Sequence, residues 1–271
     1  MAEKKAPDTS PLIMTEETLD ELRGFDLNLI QPIRGYRFSL DPLLLSDFAG
    51  GGEEGRVIDL GTGSGIIPLV MARKCGSATI LGVEIQEEMA ELAGRNVILN
   101  GLSERIDIIC ADILTLRRRF PVSSFDLVVA NPPYRKQGSG RISPKSGRDR
   151  ARHESSATLA DFLAVAKYLV SPGGTIAFIY HPVRLAEFCT AAGELKLSLL
   201  RLRMVHGNRG APARMVLLEM AKGRNGDLEV LPPLFVYGEE GEYSAEMERI
   251  LSGRICDQPL RRSYSPAPEH G

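Results

Sequence analysis

Short apolar runs alternate with amphipathic runs through the middle of the chain. The runs that resemble strands are 56–60, 79–85, 105–112, 125–130 and 175–180, and those that resemble helices are 64–74, 86–101, 158–170 and 183–193. In 86–101, for example, Met89, Ala93 and Val97 recur at about one helical turn. Strands that alternate with helices form βαβ units, which predicts a parallel sheet covered by helices on both faces.

The pattern changes at both ends of this region. After Gly193, two β-rich runs (195–206 and 213–221) follow one another without a helix, and we expect them to form an antiparallel pair at one end of the sheet. Before Arg56 the pattern predicts only a turn and then a helix from about Pro42. The chain is therefore expected to divide into a flexible tail (1–13), an N-terminal extension (14–55), an α/β domain (56–222) and a C-terminal extension or tail (223–271).

Composition excludes several classes of protein. The 271 residues include 33 basic and 35 acidic side chains, so net charge alone does not indicate nucleic acid as a partner. Cys75, Cys110, Cys189 and Cys256 lie far apart, which argues against a disulfide framework or a zinc site and fits a reducing compartment. We predict no metal site and no membrane span, since no stretch of about 18 apolar residues occurs. The first residues lack the apolar core of a signal peptide, so a cytoplasmic location is expected.

Four predicted strands end in residues that suit ligand binding. In open parallel sheets the ligand lies at the carboxyl ends of the strands. The first strand carries Asp59 and leads into Gly61, Gly63 and Gly65; the second ends at Glu84 and Ile85, the third at Asp112 and Ile113, and the fourth at Asn131, Pro132, Pro133 and Tyr134. We therefore expect one crevice lined by all four strand ends.

The first two of these ends favour a cofactor that contains a nucleoside. Glycines after a strand let the backbone turn tightly beside a helix N-terminus, for which Ser64 is the expected cap. Glu84 follows Gly65 by 19 residues, where an acidic side chain binds a ribose diol. A dinucleotide fingerprint would require a small residue at Ile66, so S-adenosylmethionine (SAM) is favoured over NAD. For Asp59 and Asp112 the simpler alternative is turn formation or helix capping.

The order DLGTGSG, GVEI, AD and NPPY resembles class I SAM-dependent methyltransferases that methylate amino groups. Residues 27–49, the NPPY motif, the basic loop after it and ARHE (151–154) are similar to the bacterial tRNA(valine) adenine-N6 methyltransferase family, from about Thr18 to about Tyr243. The resemblance implies a Rossmann-like α/β fold with a mostly parallel seven-stranded sheet, an antiparallel strand at the C-terminal end and helices on both faces. It also implies that 14–55 covers the cofactor pocket. The cofactor-binding residues that we predict are Asp59, Gly61, Gly63, Gly65, Glu84, Ile85, Asp112, Ile113 and Asn131.

The NPPY motif suits methyl transfer to an exocyclic amine. The lone pair of such an amine is delocalised into the base, so it is a poor nucleophile. Two acceptors, the side-chain oxygen of Asn131 and the carbonyl of Pro132, would localise the lone pair, and consecutive prolines fix the direction of that carbonyl. Tyr134 would stack on the target base, which must leave any base stack to reach the site. We predict Asn131, Pro132 and Tyr134 as catalytic; the alternative is that the prolines only end a strand.

Basic residues follow the motif. Between 135 and 152 there are seven Lys or Arg and a single acid, Asp149, and a basic loop beside a base pocket attracts phosphates. The predicted substrate contacts are Pro133, Arg135, Lys136, Arg148, Arg150 and Arg152. A solvated loop is the alternative. A second basic cluster brackets the antiparallel turn, where Arg201 and Arg203 are expected to share a polar face.

The leading hypothesis is methyl transfer to the N6 amine of an adenine in tRNA. The same chemistry fits the glutamine amide of a release factor, but those enzymes carry a helical domain before the SAM fold, and only 55 residues precede Arg56 here. Methylation of guanine N2 in rRNA is a related alternative. A protein with the SAM fold that only binds RNA is the non-enzymatic one, and the intact glycines, Glu84 and NPPY disfavour it. The sequence favours neither a monomer nor a homodimer.

Overall fold

A computed structural model describes residues 12–33, 39–50, 54–133, 157–223 and 226–254. The strands are β1 (Glu17–Leu22), β2 (Leu27–Pro32), β3 (Arg56–Leu60), β4 (Thr79–Glu84), β5 (Ile106–Cys110), β6 (Phe125–Ala130), β7 (Val170–Tyr180), β8 (Leu197–His206), β9 (Ala213–Lys222), β10 (Glu229–Val230) and β11 (Leu234–Phe235). The α-helices are α1 (Asp41–Ala49), α2 (Ile66–Lys74), α3 (Glu87–Leu99), α4 (Leu159–Leu169), α5 (Leu185–Glu194) and α6 (Ala245–Leu251). Short 3₁₀ turns lie at Arg23–Phe25, Ile113–Arg118 and Pro182–Arg184.

One mixed sheet organises the fold. Its strand order is β10-β8-β9-β7-β6-β3-β4-β5, and β11 also pairs with β8. Strand β9 runs antiparallel to both of its neighbours, whereas the other pairs are parallel. The predicted sheet of seven strands, mostly parallel with an antiparallel strand near the C-terminal end, is therefore confirmed. Two-residue strands β10 and β11 extend it along the outer edge of β8.

Helices cover both faces of the sheet, because successive strand residues point to opposite sides. Val57 belongs to a core cluster with apolar residues of α1, α2, α3 and α6, and the next residue, Ile58, belongs to a second cluster with those of α4 and α5. Residues of β6 and β7 are divided in the same way. The buried runs in the middle of the chain are thus continuous rather than alternating, as the sequence pattern of a doubly covered sheet requires.

Two predicted boundaries are wrong. Strand β7 begins at Val170, so the Ser171-Pro172-Gly173-Gly174 segment lies inside the strand instead of between a helix and a strand. A register shift accommodates it, since Phe125 pairs with Val170 but Leu127 pairs with Thr175. Helix α2 begins at Ile66 after Gly65, and Ser64 does not cap it.

An N-terminal hairpin, β1–β2, was not predicted. It pairs from Glu17 with Pro32 down to Leu22 with Leu27, around a turn in which Asp26 adopts a left-handed conformation. The hairpin escapes the pattern because Leu29 and Ile30 are both buried, so β2 does not alternate as a surface strand does.

The second basic cluster is largely structural. Arg201 forms a buried ion pair with Glu219 of β9 at 2.6 Å, and its guanidinium lies 4.7 Å from the ring centroid of Phe48. Arg203 pairs with Glu246 of α6 at 2.7 Å. The polar face predicted for these two arginines is therefore covered, and both are held in ion pairs instead of facing solvent. The reason is that α1 and the C-terminal extension cover β8.

We expect Glu219→Gln to lower the free energy of unfolding by about 3–5 kcal/mol, because it leaves the charge of Arg201 buried without its partner. Glu246→Gln is the matched control, since Glu246 is 39% exposed and its pair with Arg203 should contribute less than about 1 kcal/mol. Urea unfolding of both variants measures the difference. Equal losses would contradict the structural role assigned to the Arg201 pair.

Candidate active site

The carboxyl ends of four neighbouring strands meet at one edge of the sheet. Leu60 pairs with Val83 of β4 and with Ala130 of β6, and Glu84 pairs with Cys110 of β5. The segments that follow β3, β4, β5 and β6 therefore begin at nearly the same level. Between β3 and β6 the chain order reverses direction across the sheet, which is the place where α/β proteins bind ligands.

The loop after β3 turns on three glycines. Gly61, Gly63 and Gly65 have φ angles of +80°, +55° and +84°, a region that other residues rarely adopt. A Cβ at Gly63 would meet no atom within 4 Å, so this part of the loop faces open space. A Cβ at Gly65 would lie 3.1 Å from the Cβ of Ala93 in α3. Gly65 thus allows the close helix packing that, in a dinucleotide fingerprint, the third glycine provides; that position is Ile66 in this chain.

Glu84 is an acceptor held in place by the backbone. Its Oε2 accepts a hydrogen bond from the N–H of Gly63, and its Oε1 accepts from the N–H groups of Ile85 and Gln86, each at 2.9 Å. A carboxylate offers about four acceptor positions, so Oε2 retains one. Glu84 is 7% exposed at the mouth of the glycine loop. An oriented carboxylate beside open space fits the ribose diol of SAM.

Asp59 lies beneath the same loop and is fully buried. Neither of its carboxyl oxygens has a hydrogen-bond partner among the described residues. Burial raises the pKa of Asp59 to about 7; the nearby Thr62 hydroxyl, outside hydrogen-bond geometry, lowers it somewhat, and the charge of Glu84 raises it. Direct contact between Asp59 and the cofactor stays a prediction, because the carboxyl lies below the loop surface.

The third strand end shows the capping role that the sequence left open. Asp112 is half-buried and accepts a hydrogen bond from the N–H of Leu114 at 2.9 Å, which caps the 3₁₀ turn after β5. Ile113 is buried in the core, whereas Ile85 is half-buried beside Glu84. One oxygen of Asp112 accepts the capping bond, and the other oxygen is left for a ligand. Cofactor binding by Asp112, Ile85 and Ile113 stays a prediction.

The fourth strand end places the amide and the prolines beside the glycine loop, at the switch point between β3 and β6. Asn131 follows β6 directly and is half-buried, Pro132 is buried and Pro133 is exposed. Their strand lies between β3 and β7, so they flank the glycine loop. Tyr134 and the predicted substrate contacts in the basic loop lie outside the described residues: Arg135, Lys136, Arg148, Arg150 and Arg152.

Comparison with known proteins identifies the family. A sequence model of the methyltransferase small domain matches residues 41–145. A tRNA1(Val) (adenine(37)-N6)-methyltransferase of Porphyromonas gingivalis is 32% identical over 225 residues, which cover 79% of this chain and 86% of that protein. The chain belongs to this family of methyltransferases. A family member from Photobacterium profundum is 27% identical and covers 78% of this chain and 88% of its own.

Solved structures support the fold alone. A predicted O-methyltransferase from Agrobacterium tumefaciens has a TM-score of 0.66 at 23% identity, and the match covers 79% of this chain and 97% of the other. A tRNA m1G37 methyltransferase from M. jannaschii has a TM-score of 0.54 at 17% identity and covers 78% and 58%. The class I methyltransferase fold is thereby confirmed.

Family membership makes the chain an enzyme, a methyltransferase with SAM as its cofactor, as the sequence predicted. None of the helices in the described part of the chain is long and apolar enough to cross a bilayer. The roles of the individual site residues stay predictions.

We expect Gly65→Ala to weaken SAM binding at least about tenfold, because the left-handed backbone and the contact with Ala93 both resist a Cβ. Gly94→Ala is the control: it lies in the same helix as Ala93, has an ordinary backbone conformation, and its Cβ would meet no atom within 4 Å. Isothermal titration with SAM measures both. Unchanged affinity of Gly65→Ala would contradict the tight fit of the loop on α3.

The raised pKa of Asp59 predicts a pH-dependent loss of stability. The folded protein keeps the proton of Asp59 up to pH about 7, whereas the unfolded chain releases it near 3.8, so this contribution is complete below 3.8 and is lost as pH rises to 7. Asp59→Asn removes the effect. Relative to the wild type, we expect its free energy of unfolding to increase by about 3 kcal/mol between pH 5 and pH 8. A difference that does not vary with pH in urea unfolding would disprove the raised pKa.

Proposed function

We propose that the chain transfers the methyl group of SAM to the N6 amine of an adenine in tRNA. The observation that carries the proposal is the position of Asn131-Pro132-Pro133 at the end of β6, at the switch point beside the glycine loop and Glu84. The names of the curated relatives specify adenine 37 of tRNA1(Val), and we propose tRNA as the partner on that basis. A tRNA substrate places the proposed activity in the cytoplasm.

SAM supplies an electrophilic methyl group on a sulfonium that is already a good leaving group. The task left to the protein is alignment, which proximity and orientation accomplish. Glu84 offers its remaining acceptor position to a ribose hydroxyl, and Gly63 leaves room for the cofactor beside it. Glu84 and the glycine loop would hold the cofactor at the edge of the sheet that also carries the end of β6.

Asn131 and Pro132 act on the acceptor amine. The amide oxygen of Asn131 and the carbonyl of Pro132 accept the two N–H bonds of the amine, which turns its lone pair toward the methyl group. As the N–C bond forms, the C–S bond breaks, and the extra proton on nitrogen passes to solvent. Pro133 is exposed beside them and is proposed to contact the target base. Tyr134 is proposed to stack on the same base.

The substrate side of the crevice extends from β6 toward β7 and β8. The segment after β7 begins with half-buried His181 and contains Val183, which is 85% exposed. The turn between β8 and β9 presents exposed Arg209 at the same edge, with its guanidinium 5.5 Å from the ring centroid of Phe235. Together with the predicted contacts in the basic loop, Arg209 is proposed to meet the phosphates of the RNA.

The comparisons favour tRNA over a release factor as the acceptor, because the curated relatives are named as tRNA methyltransferases. The non-enzymatic alternative is excluded by the family assignment. Methylation of rRNA guanine is distinguished by assay.

We expect Asn131→Ala to reduce kcat at least about a hundredfold with tRNA as the acceptor, because one of the two acceptors for the amine is lost. The Kd for SAM should rise by less than about tenfold, because Asn131 is only one of the nine predicted cofactor contacts and its role toward the acceptor amine does not enter that measurement. Asn131→Asp is the control; it keeps an oxygen acceptor and should retain more activity than the alanine variant.

The assay uses methyl-tritiated SAM with tRNA from a strain that lacks this gene, and mass spectrometry of the nucleosides locates the product. Purified release factor and rRNA serve as competing acceptors. N6-methyladenosine in tRNA supports the proposal, whereas label in release factor or rRNA alone overturns the proposed substrate. Full turnover by Asn131→Ala would refute the role of Asn131.

A further inference from the structure

Two asparagines of α3 bind the backbone of β2 as a neighbouring strand would. Asn96 accepts a hydrogen bond from the N–H of Ile30 at 2.7 Å and donates to its carbonyl at 3.1 Å. Asn100 makes the same pair of contacts with Asn28, at 2.8 and 2.7 Å. Two strand residues span about 6.6 Å and four helical residues about 6 Å, so the spacings match.

These contacts use the edge of β2 that faces away from β1. The N–H of Ile33 donates to the carbonyl of Glu16. Along β2, the backbone N–H and C=O groups of every second residue therefore face β1, and those of the residues between face α3. Pro32 belongs to the set that points away from β1, where its missing N–H breaks no bond of the hairpin. The hairpin is further anchored by the ion pair between Glu17 and Arg95, at 2.6 Å.

Asn96 makes one contact that Asn100 does not. Its amide also donates to the carbonyl of Ser64 at 3.0 Å, and its side chain is completely buried. Ser64 lies in the glycine loop next to Gly63, whose N–H binds Glu84. The oxygen and the two N–H bonds of a single buried amide are thus shared between the hairpin and the cofactor loop.

The glycine loop also packs closely on α3 next to Asn96. Ala93 lies one turn earlier on α3, and a Cβ at Gly65, on the other side of Ser64, would lie 3.1 Å from its Cβ. If the hairpin moved away, Asn96 would lose both contacts with Ile30, and water would compete for the carbonyl of Ser64. An unsatisfied buried amide is costly, so the two sets of contacts favour each other.

We propose that Asn96 is a positioning residue of the cofactor site, which couples docking of the N-terminal hairpin to the conformation of the glycine loop. SAM binding and hairpin docking then stabilise each other. Because such coupling is reciprocal, it is measurable from either side. The inference rests on SAM as the cofactor and not on the identity of the methyl acceptor.

The matched pair Asn96→Ala and Asn100→Ala tests the proposal from the loop side. Each variant removes one pair of bonds to β2, but only Asn96→Ala removes the bond to Ser64. We expect the Kd for SAM to rise about tenfold in Asn96→Ala and less than about threefold in Asn100→Ala, the equivalent of one hydrogen bond to a buried group. The KM for SAM should rise in parallel in Asn96→Ala, with the KM for the methyl acceptor unchanged.

Hydrogen exchange of the unaltered protein tests the coupling from the hairpin side. Peptides covering 27–32 should exchange more slowly when SAM is added, by a larger factor than peptides of α5 on the opposite face of the sheet. In Asn96→Ala this additional slowing should disappear. If that variant fails to fold, the exchange measurement on the unaltered protein decides the question.

Equal effects of the two variants on the Kd would overturn the proposal, because they would reflect hairpin anchoring alone. Uniform slowing of 27–32 and α5 would overturn it as well. The titrations and the exchange experiments use SAM without any acceptor. A failure to methylate tRNA would therefore refute the proposed function and leave this inference intact.

Discussion

The hydrogen bonds to the carboxylate of Glu84 hold the elements of the candidate site together. The carboxylate binds the N–H of Gly63 in the loop after β3 and the N–H groups of Ile85 and Gln86 at the start of α3. Negative charge at a helix N-terminus is favourable, so the same contacts also stabilise α3. One carboxylate therefore joins the loop, the end of β4 and the start of the helix, the three elements beside the predicted ribose position.

The environment of Asp59, next to Glu84, is unfavourable for a charged carboxylate. Its carboxyl lies close to Glu84, fully buried and without a hydrogen-bond partner among the described residues, and burial keeps its pKa near 7. Glu84, in contrast, accepts hydrogen bonds from three backbone N–H groups. The two neighbouring carboxyl groups thus differ in their surroundings: that of Glu84 is oriented by hydrogen bonds, whereas that of Asp59 has none among the described residues.

Periodicity predicted the parts of the fold whose burial follows a simple rule. The continuous runs of β3, β4 and β6 belong to a doubly covered sheet, and the distance from Gly65 to Glu84 follows from one βαβ unit. The hairpin could not be predicted in this way, because β2 is buried by α3 and its Leu29-Ile30 pair breaks the alternation. The role of Asn96 could not be predicted either. It is a polar residue on an otherwise apolar helix face, and its partners are backbone groups that are distant in sequence. Asp112 was ambiguous since the same carboxylate suits a cap and a ligand.

The added elements are held to the central sheet by directed polar contacts. Asn96 and Asn100 bind the backbone of β2, and Asp47 of α1 binds both Lys74 of α2 and Arg249 of α6. Arg201 of β8 pairs with Glu219 of β9 and donates to the carbonyl of Phe48 in α1. Apolar burial alone is non-directional and would allow these elements to slide. Buried hydrogen bonds and ion pairs hold each added element in one position relative to the sheet, because a shift of the element would leave a buried donor or acceptor without its partner. The alignment of the strand ends with the added elements therefore depends on a few buried polar side chains that the apolar pattern of the sequence does not reveal.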